Sequence, residues 1–289
     1  MKSKVIVIIG PTATNKTKVA IQLANKLNGE IINADAFQIY KELNIGTNKP
    51  TPLELRQATF HLISNKSIYD KWDIKRFQQE AKKIITHITK LNKIPIIVGG
   101  SHLYVDALIK NYDFSLSNER DNSFNNFTNQ ELFQKLNEFN NLLASKIGIN
   151  NRKRLIRALQ TKGKLIKRKK EIYVPFYLLC TNEREVLYNK INKRVDKMIK
   201  EGWINEVKKL YNENKDLTSL NAFKAIGYNE ILTSIINNKN IDIDRIKRDT
   251  RHYAKRQMTW IRHHYDNVCT YNQNNISDVI KRVKQWLEK

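Results

Sequence analysis

Lys16 and Thr17 close the segment KVIVIIGPTATNKT at residues 4–17, in which a run of apolar β-formers breaks at Gly10-Pro11. A strand that runs into Gly10, Pro11, Thr12, Ala13, Thr14, Asn15, Lys16 and Thr17 and then into a helix makes a loop for phosphate. Its consecutive backbone N–H groups cradle a diphosphate, Lys16 adds a point charge, and the Thr17 hydroxyl can hold Mg²⁺. Asn15 stands where the pattern G-x4-G-K-[ST] has its second glycine. Asn is the non-glycine residue that best tolerates positive φ, so the loop can still close.

Further candidates sit where neighbouring strands should end. The apolar run Glu30–Ala34 is followed by Asp35, Ala36, Phe37 and Gln38. Ligands of open α/β sheets lie beyond the carboxyl ends of the strands, so Asp35 should share a crevice with the phosphate loop. There it can ligate Mg²⁺, cap a helix or act as a base. The run Ile94–Val98 leads into Gly99-Gly100-Ser101. Two glycines permit close backbone approach, and the Ser101 hydroxyl either donates to a phosphoryl oxygen or caps the next helix. In the helical stretch Glu185–Asn212, Tyr188, Ile191, Val195, Met198 and Ile199 form a core stripe. Lys190 and Arg194 lie four apart on another face, where Arg194 reaches a pyrophosphate or is simply solvated.

The elements that must position these groups are legible as an alternation. Val5–Ile9, Glu30–Ala34, Ile94–Val98 and Val174–Cys180 read as strands buried on both faces. Lys16–Leu27, Ile74–Leu91 and Glu185–Asn212 read as helices between them, which predicts an α/β fold with a parallel sheet flanked by helices. From 112 to 148 the chain turns polar and then helix-like, as a helical insertion mobile at its entry. Residues 1–111 and 149–289 are then the core, and the end of the chain is helical and basic.

With 289 residues and 52 Lys+Arg against 28 Asp+Glu, the formal net charge is +24. A partner carrying many phosphates is the implication. Two segments concentrate the arginines. In 151–159, Arg154 and Arg157 are one turn apart over an apolar stripe of Leu155, Ile156 and Leu159. In 245–262, Ile246, Thr250, Tyr253, Gln257 and Trp260 should pack inward, while Arg248, Arg251, Lys255 and Arg262 form a basic ridge suited to backbone phosphates. No apolar run approaches the ~20 residues of a membrane span. The first strand begins too early for a signal peptide, and Cys180 and Cys269 make no framework, so a reducing cytoplasm is expected.

Together, GPTATNKT at 10–17, DAFQIY at 35–40, IGTNKP at 45–50, VGGSHLY at 98–104, RLIRAL at 154–159, LYNKINKRVDKMIKEG at 187–202, AIGYNE at 225–230 and TRHYAKRQMTWIR at 250–262 resemble the tRNA dimethylallyltransferase family. The resemblance runs through nearly the whole chain. It implies a P-loop NTPase-like fold with a helical insertion that contacts tRNA, Mg²⁺, and a monomer. The activity implied is transfer of a dimethylallyl group from dimethylallyl diphosphate to N6 of the adenosine 3′-adjacent to the anticodon.

Carried over, Asp35 matches the family's catalytic residue at the adenine amine, Gln38 a base-contacting residue, and 10–17 the diphosphate site. Ser101, in place of the usual Thr, and Arg194 match catalytic positions. Residues matching tRNA contacts are Asp35, Ala36, Phe37 and Gln38; Lys153, Arg154, Leu155, Ile156 and Arg157; Lys224 and Tyr228; and Arg248, Arg251, Lys255, Arg256 and Arg262. Departures are Asn15 for Gly, Ala36 for Ser and His102 for Gly. The rival readings are a prenyltransferase of free adenine nucleotides, a P-loop kinase or NTPase, and an RNA-binding protein without catalysis.

Overall fold

The computed structural model describes residues 2–115, 122–163, 169–271 and 276–289. Its strands are β1 (Ser3–Ile9), β2 (Gly29–Asn33), β3 (Phe60–His61), β4 (Ile94–Val98), β5 (Tyr173–Cys180) and β6 (Cys269–Tyr271). They form one sheet in the order β3-β2-β4-β1-β5-β6, parallel at every pairing. Val5, Val7 and Ile9 of β1 face one core cluster, and Ile6 and Ile8 face another. All five are fully buried, as a central strand covered on both faces requires. The order places β4 between β1 and β2, so the phosphate loop, Asp35 and Gly99-Gly100 all emerge at the same edge.

Helices α1 (Lys16–Leu27), α2 (Pro52–Gln57) and α3 (Ile74–Lys90) connect the first four strands, and α4 (His102–Ile109) follows β4. Then come α5 (Asn129–Phe139), α6 (Asn141–Ile147) and α7 (Arg152–Gln160). After β5 follow α8 (Arg184–Lys200), α9 (Trp203–Glu213), α10 (Tyr228–Ile236), α11 (Ile243–His264) and, after β6, α12 (Ile276–Glu288). None of the described helices is long and apolar enough to cross a membrane.

Four differences from the sequence reading have physical causes. The stretch 185–212 is two helices, because Gly202 takes φ 98°, a left-handed conformation that ends one helix and starts the next. The helical stretch expected within 131–147 breaks at Asn140, which ends α5 and whose side chain accepts from Leu143 N to start α6. The edge strands β3 and β6 span two and three residues, too short for a periodic signal. The chain divides into Met1–Ile109 with Ile172–Lys289, and Lys110–Glu171, so the return to the core comes at 172 rather than 149. The reason is α7: Leu155 and Ala158 share a small core with Leu132, Leu136 and Ala144 and so belong to the insertion. Of its expected mobile entry, residues 116–121 lie outside the described residues.

Candidate active site

The loop after β1 is built from left-handed residues. Gly10 has φ 147°, Ala13 φ 63° and Asn15 φ 58°, and Asn15 is the N-cap residue of α1, in the conformation expected of it. Two local bonds hold the curve: Thr14 Oγ1 donates to the Pro11 carbonyl at 2.9 Å, and Lys16 Nζ donates to the same oxygen at 2.6 Å. Thr12 N–H donates to Gln257 Oε1 of α11 at 2.9 Å.

Asp35 follows β2 by two residues, and its Oδ1 accepts the amides of Phe37 (2.9 Å) and Gln38 (3.3 Å). The turn is fastened to the end of β4 by Ala36 N–H, which donates to Ser101 Oγ at 3.0 Å. Ser101 thus meets the backbone beside Asp35. Gln38 Nε2 donates to the carbonyls of Thr47 (3.0 Å) and Asn48 (3.1 Å), which ties down the IGTNKP turn. That turn is held from behind by Glu206, whose Oε2 accepts the amides of Asn44 and Ile45.

A cavity of about 570 Å³ collects these groups. Residues 12–18, Asp35, Gln38, Gly99, Gly100, Lys190, Arg194, Tyr253 and Gln257 are on its wall. Four cations (Lys16, Lys18, Lys190 and Arg194) face two carboxylates, Asp35 and Glu54. Burial pushes the Lys16 ammonium down to about 8, with Arg194 adding to the shift and Asp35 opposing it. Burial likewise lowers the Arg194 guanidinium to about 10 against the pull of Asp35. Desolvated cations at a helix N-terminus favour a bound anion. No cluster of three or more His, Cys, Asp or Glu among the described residues could hold a metal. Thr17 lines the cavity beside Lys16, a donor set that fits Mg²⁺ held by one or two protein oxygens and by phosphate oxygens.

A second cavity of about 310 Å³ shares Thr12, Asp35, Thr47, Arg194 and Tyr253 with the first. The rest of its wall is largely apolar, with Phe37, Val195, Met198, Trp203, Ala225 and Ile226. Lys224 and Arg256, both exposed, also line it.

The other sequence-predicted positions divide by burial. On α11, Arg248, Lys255, Arg256 and Arg262 are exposed. Arg251 leaves the expected ridge: it is half-buried and its Nη1 donates to Asn192 Oδ1 of α8 at 2.6 Å. Tyr228 is fully buried, its hydroxyl donating to Glu206 Oε1 at 2.6 Å and accepting from Gly46 N at 3.1 Å, so it supports the turn from within. On α7, Lys153 and Arg154 are exposed and Arg157 half-buried, whereas Leu155 is core and Ile156 packs against it.

Sequence reasoning placed Tyr253 and Gln257 in the core and gave them no part in the site. Their i, i+4 spacing faces the loop, and both donate to the Gly100 carbonyl, at 3.1 and 2.9 Å. Lys190 was seen, without a role.

A parallel sheet with this loop after β1 and a basic cleft at its carboxyl edge is a P-loop-like α/β architecture. The sequence pattern described as IPP transferase matches residues 38–264, and the chain belongs to this family. It is similar to the tRNA dimethylallyltransferase of Malacoplasma penetrans, 40% identical over 99% of each chain. That of Anoxybacillus flavithermus is 41% identical over 91% of this chain and 88% of its own. Among solved structures, the tRNA isopentenylpyrophosphate transferase of Bacillus halodurans aligns with TM-score 0.75 and 35% identity, over 99% of this chain and 97% of that one. A eukaryotic dimethylallyltransferase acting on tRNA aligns with TM-score 0.86 and 27% identity, over 99% and 80%.

Proposed function

We propose that this protein transfers a dimethylallyl group from dimethylallyl diphosphate to N6 of the adenosine 3′-adjacent to the anticodon of tRNA. The observation that carries this reading is the shared wall: Asp35, Arg194, Thr12, Thr47 and Tyr253 line both cavities. One cavity is cationic and built round a phosphate loop, which suits a diphosphate. The other is mostly apolar, has the aromatic Phe37 on its wall, and carries exposed Lys224 and Arg256, which suits a base with its flanking phosphates.

The chemistry follows from the residues. The N6 lone pair is delocalised into the adenine ring, so it is a weak nucleophile. Asp35 accepts the N6 proton as the nitrogen forms its bond to the allylic carbon. The carbon–oxygen bond to diphosphate breaks, and the electron pair leaves with the diphosphate. Lys16, Arg194 and the loop amides meet the negative charge where it grows. Thr17 is the residue that would hold Mg²⁺ there, and the ion supplies further charge stabilisation to the leaving group. Ser101 and Gln38 keep the Asp35 turn in register. The adenine must leave its stack to reach Asp35, as base-modifying enzymes require, while exposed cations of α11 and α7 hold the backbone.

The test is incubation with Mg²⁺, labelled dimethylallyl diphosphate and tRNA transcripts that carry or lack the target adenosine. Label should enter RNA only with that adenosine present. Transfer to free AMP alone, or ATP hydrolysis with no prenyl transfer, overturns the reading.

A further inference from the structure

We infer that Gln257 is the positioning residue that sets the phosphate loop for its ligand, an inference that rests on the function proposed above. Its carboxamide is buried and makes a bond at each end: Oε1 accepts Thr12 N–H at 2.9 Å, and Nε2 donates to the Gly100 carbonyl at 2.9 Å. Neither bond can be reversed, because a peptide N–H only donates and a carbonyl only accepts. One side chain thus joins three parts of the site that are far apart in sequence: the loop after β1, the turn after β4, and α11. Gly100 is shaped for this contact, since a Cβ there would stand 2.5 Å from Gln257 Nε2.

The loop needs such a brace. Ala13 and Asn15 hold positive φ with side chains attached, and strained backbone persists only where its surroundings over-determine it. Inside the loop, the Thr14 hydroxyl and the Lys16 ammonium both bond the Pro11 carbonyl, so they fix that peptide from its oxygen side. Gln257 fixes the same Pro11–Thr12 peptide from its nitrogen side and refers it to the sheet edge through Gly100. Without this brace the loop samples other conformations, and apparent affinity falls by the fraction that remains competent.

Binding of inorganic pyrophosphate to the full-length protein in Mg²⁺, measured by calorimetry, reads this directly. Gln257→Leu should weaken it about tenfold, the scale of one or two lost hydrogen bonds. The KM for dimethylallyl diphosphate should rise in step, with kcat at saturating donor and tRNA affinity unchanged. Gln257→Glu should be no better, because it sets a second acceptor against the Gly100 carbonyl. Gly100→Ala, which displaces the amide, should repeat the loss, and combining it with Gln257→Leu should add nothing further. Should Gln257→Leu not fold, as thermal melting will report, Gly100→Ala and Gln257→Glu carry the test alone. Pyrophosphate affinity unchanged in these variants, or fully additive losses, overturns the inference while leaving the function standing. A wild-type protein that binds no pyrophosphate overturns the function itself.

Discussion

Arg194 adds to the depression of the Lys16 ammonium: the two line one cavity in which four cations face two carboxylates. Burial is the larger cause, and together they bring Lys16 to about 8 while Asp35 pulls the other way. A bound diphosphate raises that value again, so its affinity is linked to the proton.

The sign of the linkage is fixed. Pyrophosphate prefers protonated Lys16, so loss of that proton should weaken binding as pH rises through about 8, by up to about tenfold per pH unit until the bound-state value is reached. Calorimetry across this range checks it. Lys16→Met should bind weakly and lose the inflection.

Asp35 has two roles that two substitutions separate. Asp35→Asn keeps an oxygen for the Phe37 and Gln38 amides and loses the base, so turnover should fall by roughly 10²-fold with melting temperature unchanged. Asp35→Ala should lose turnover equally and also cost about 1 kcal/mol of stability. Single-turnover kinetics and thermal melts decide; near-normal turnover in Asp35→Asn removes Asp35 as the base.

Tyr228 should behave as a strut. Tyr228→Phe removes both the bond to Glu206 and the acceptor for Gly46 N–H, costing about 1–3 kcal/mol. Affinity for tRNA, measured by filter binding on the folded variant, should not change. A loss of tRNA affinity without destabilisation contradicts its buried placement.

Arginines of α11 should split by exposure. Removing exposed Arg248, Lys255 or Arg262 should weaken tRNA binding and lower its salt slope by about one each. Arg251→Ala should leave the salt slope unchanged and lower stability instead, since its guanidinium is bonded to Asn192. Affinities across a salt series, with melting curves, test both halves.

What could be read from the chain alone was whatever is local. The phosphate loop, the Asp35 turn and the central strands each carry their own signal in residue type and period. Gly202 looked like one more residue of a long helix, because periodic apolar positions continue on both sides of the break. Tyr253 and Gln257 were expected to face inward, and do, but their part in the site was missed for the opposite reason. An inward-facing position says that a side chain is buried, and only the order of the strands says what it is buried against. Leu155 shows the same limit: its segment was correctly taken as a basic helix, but its apolar side closes a separate small core.

Asn15 sits at φ 58° in a place where a search pattern written in letters demands glycine. The backbone there asks for handedness, and asparagine supplies it at modest cost. A signature for such loops is therefore better written as a string of tolerated dihedrals, with glycine and asparagine as synonyms at that point. Scans relaxed in this way would recover other chains whose nucleotide-type loops have gone uncounted for want of a single glycine.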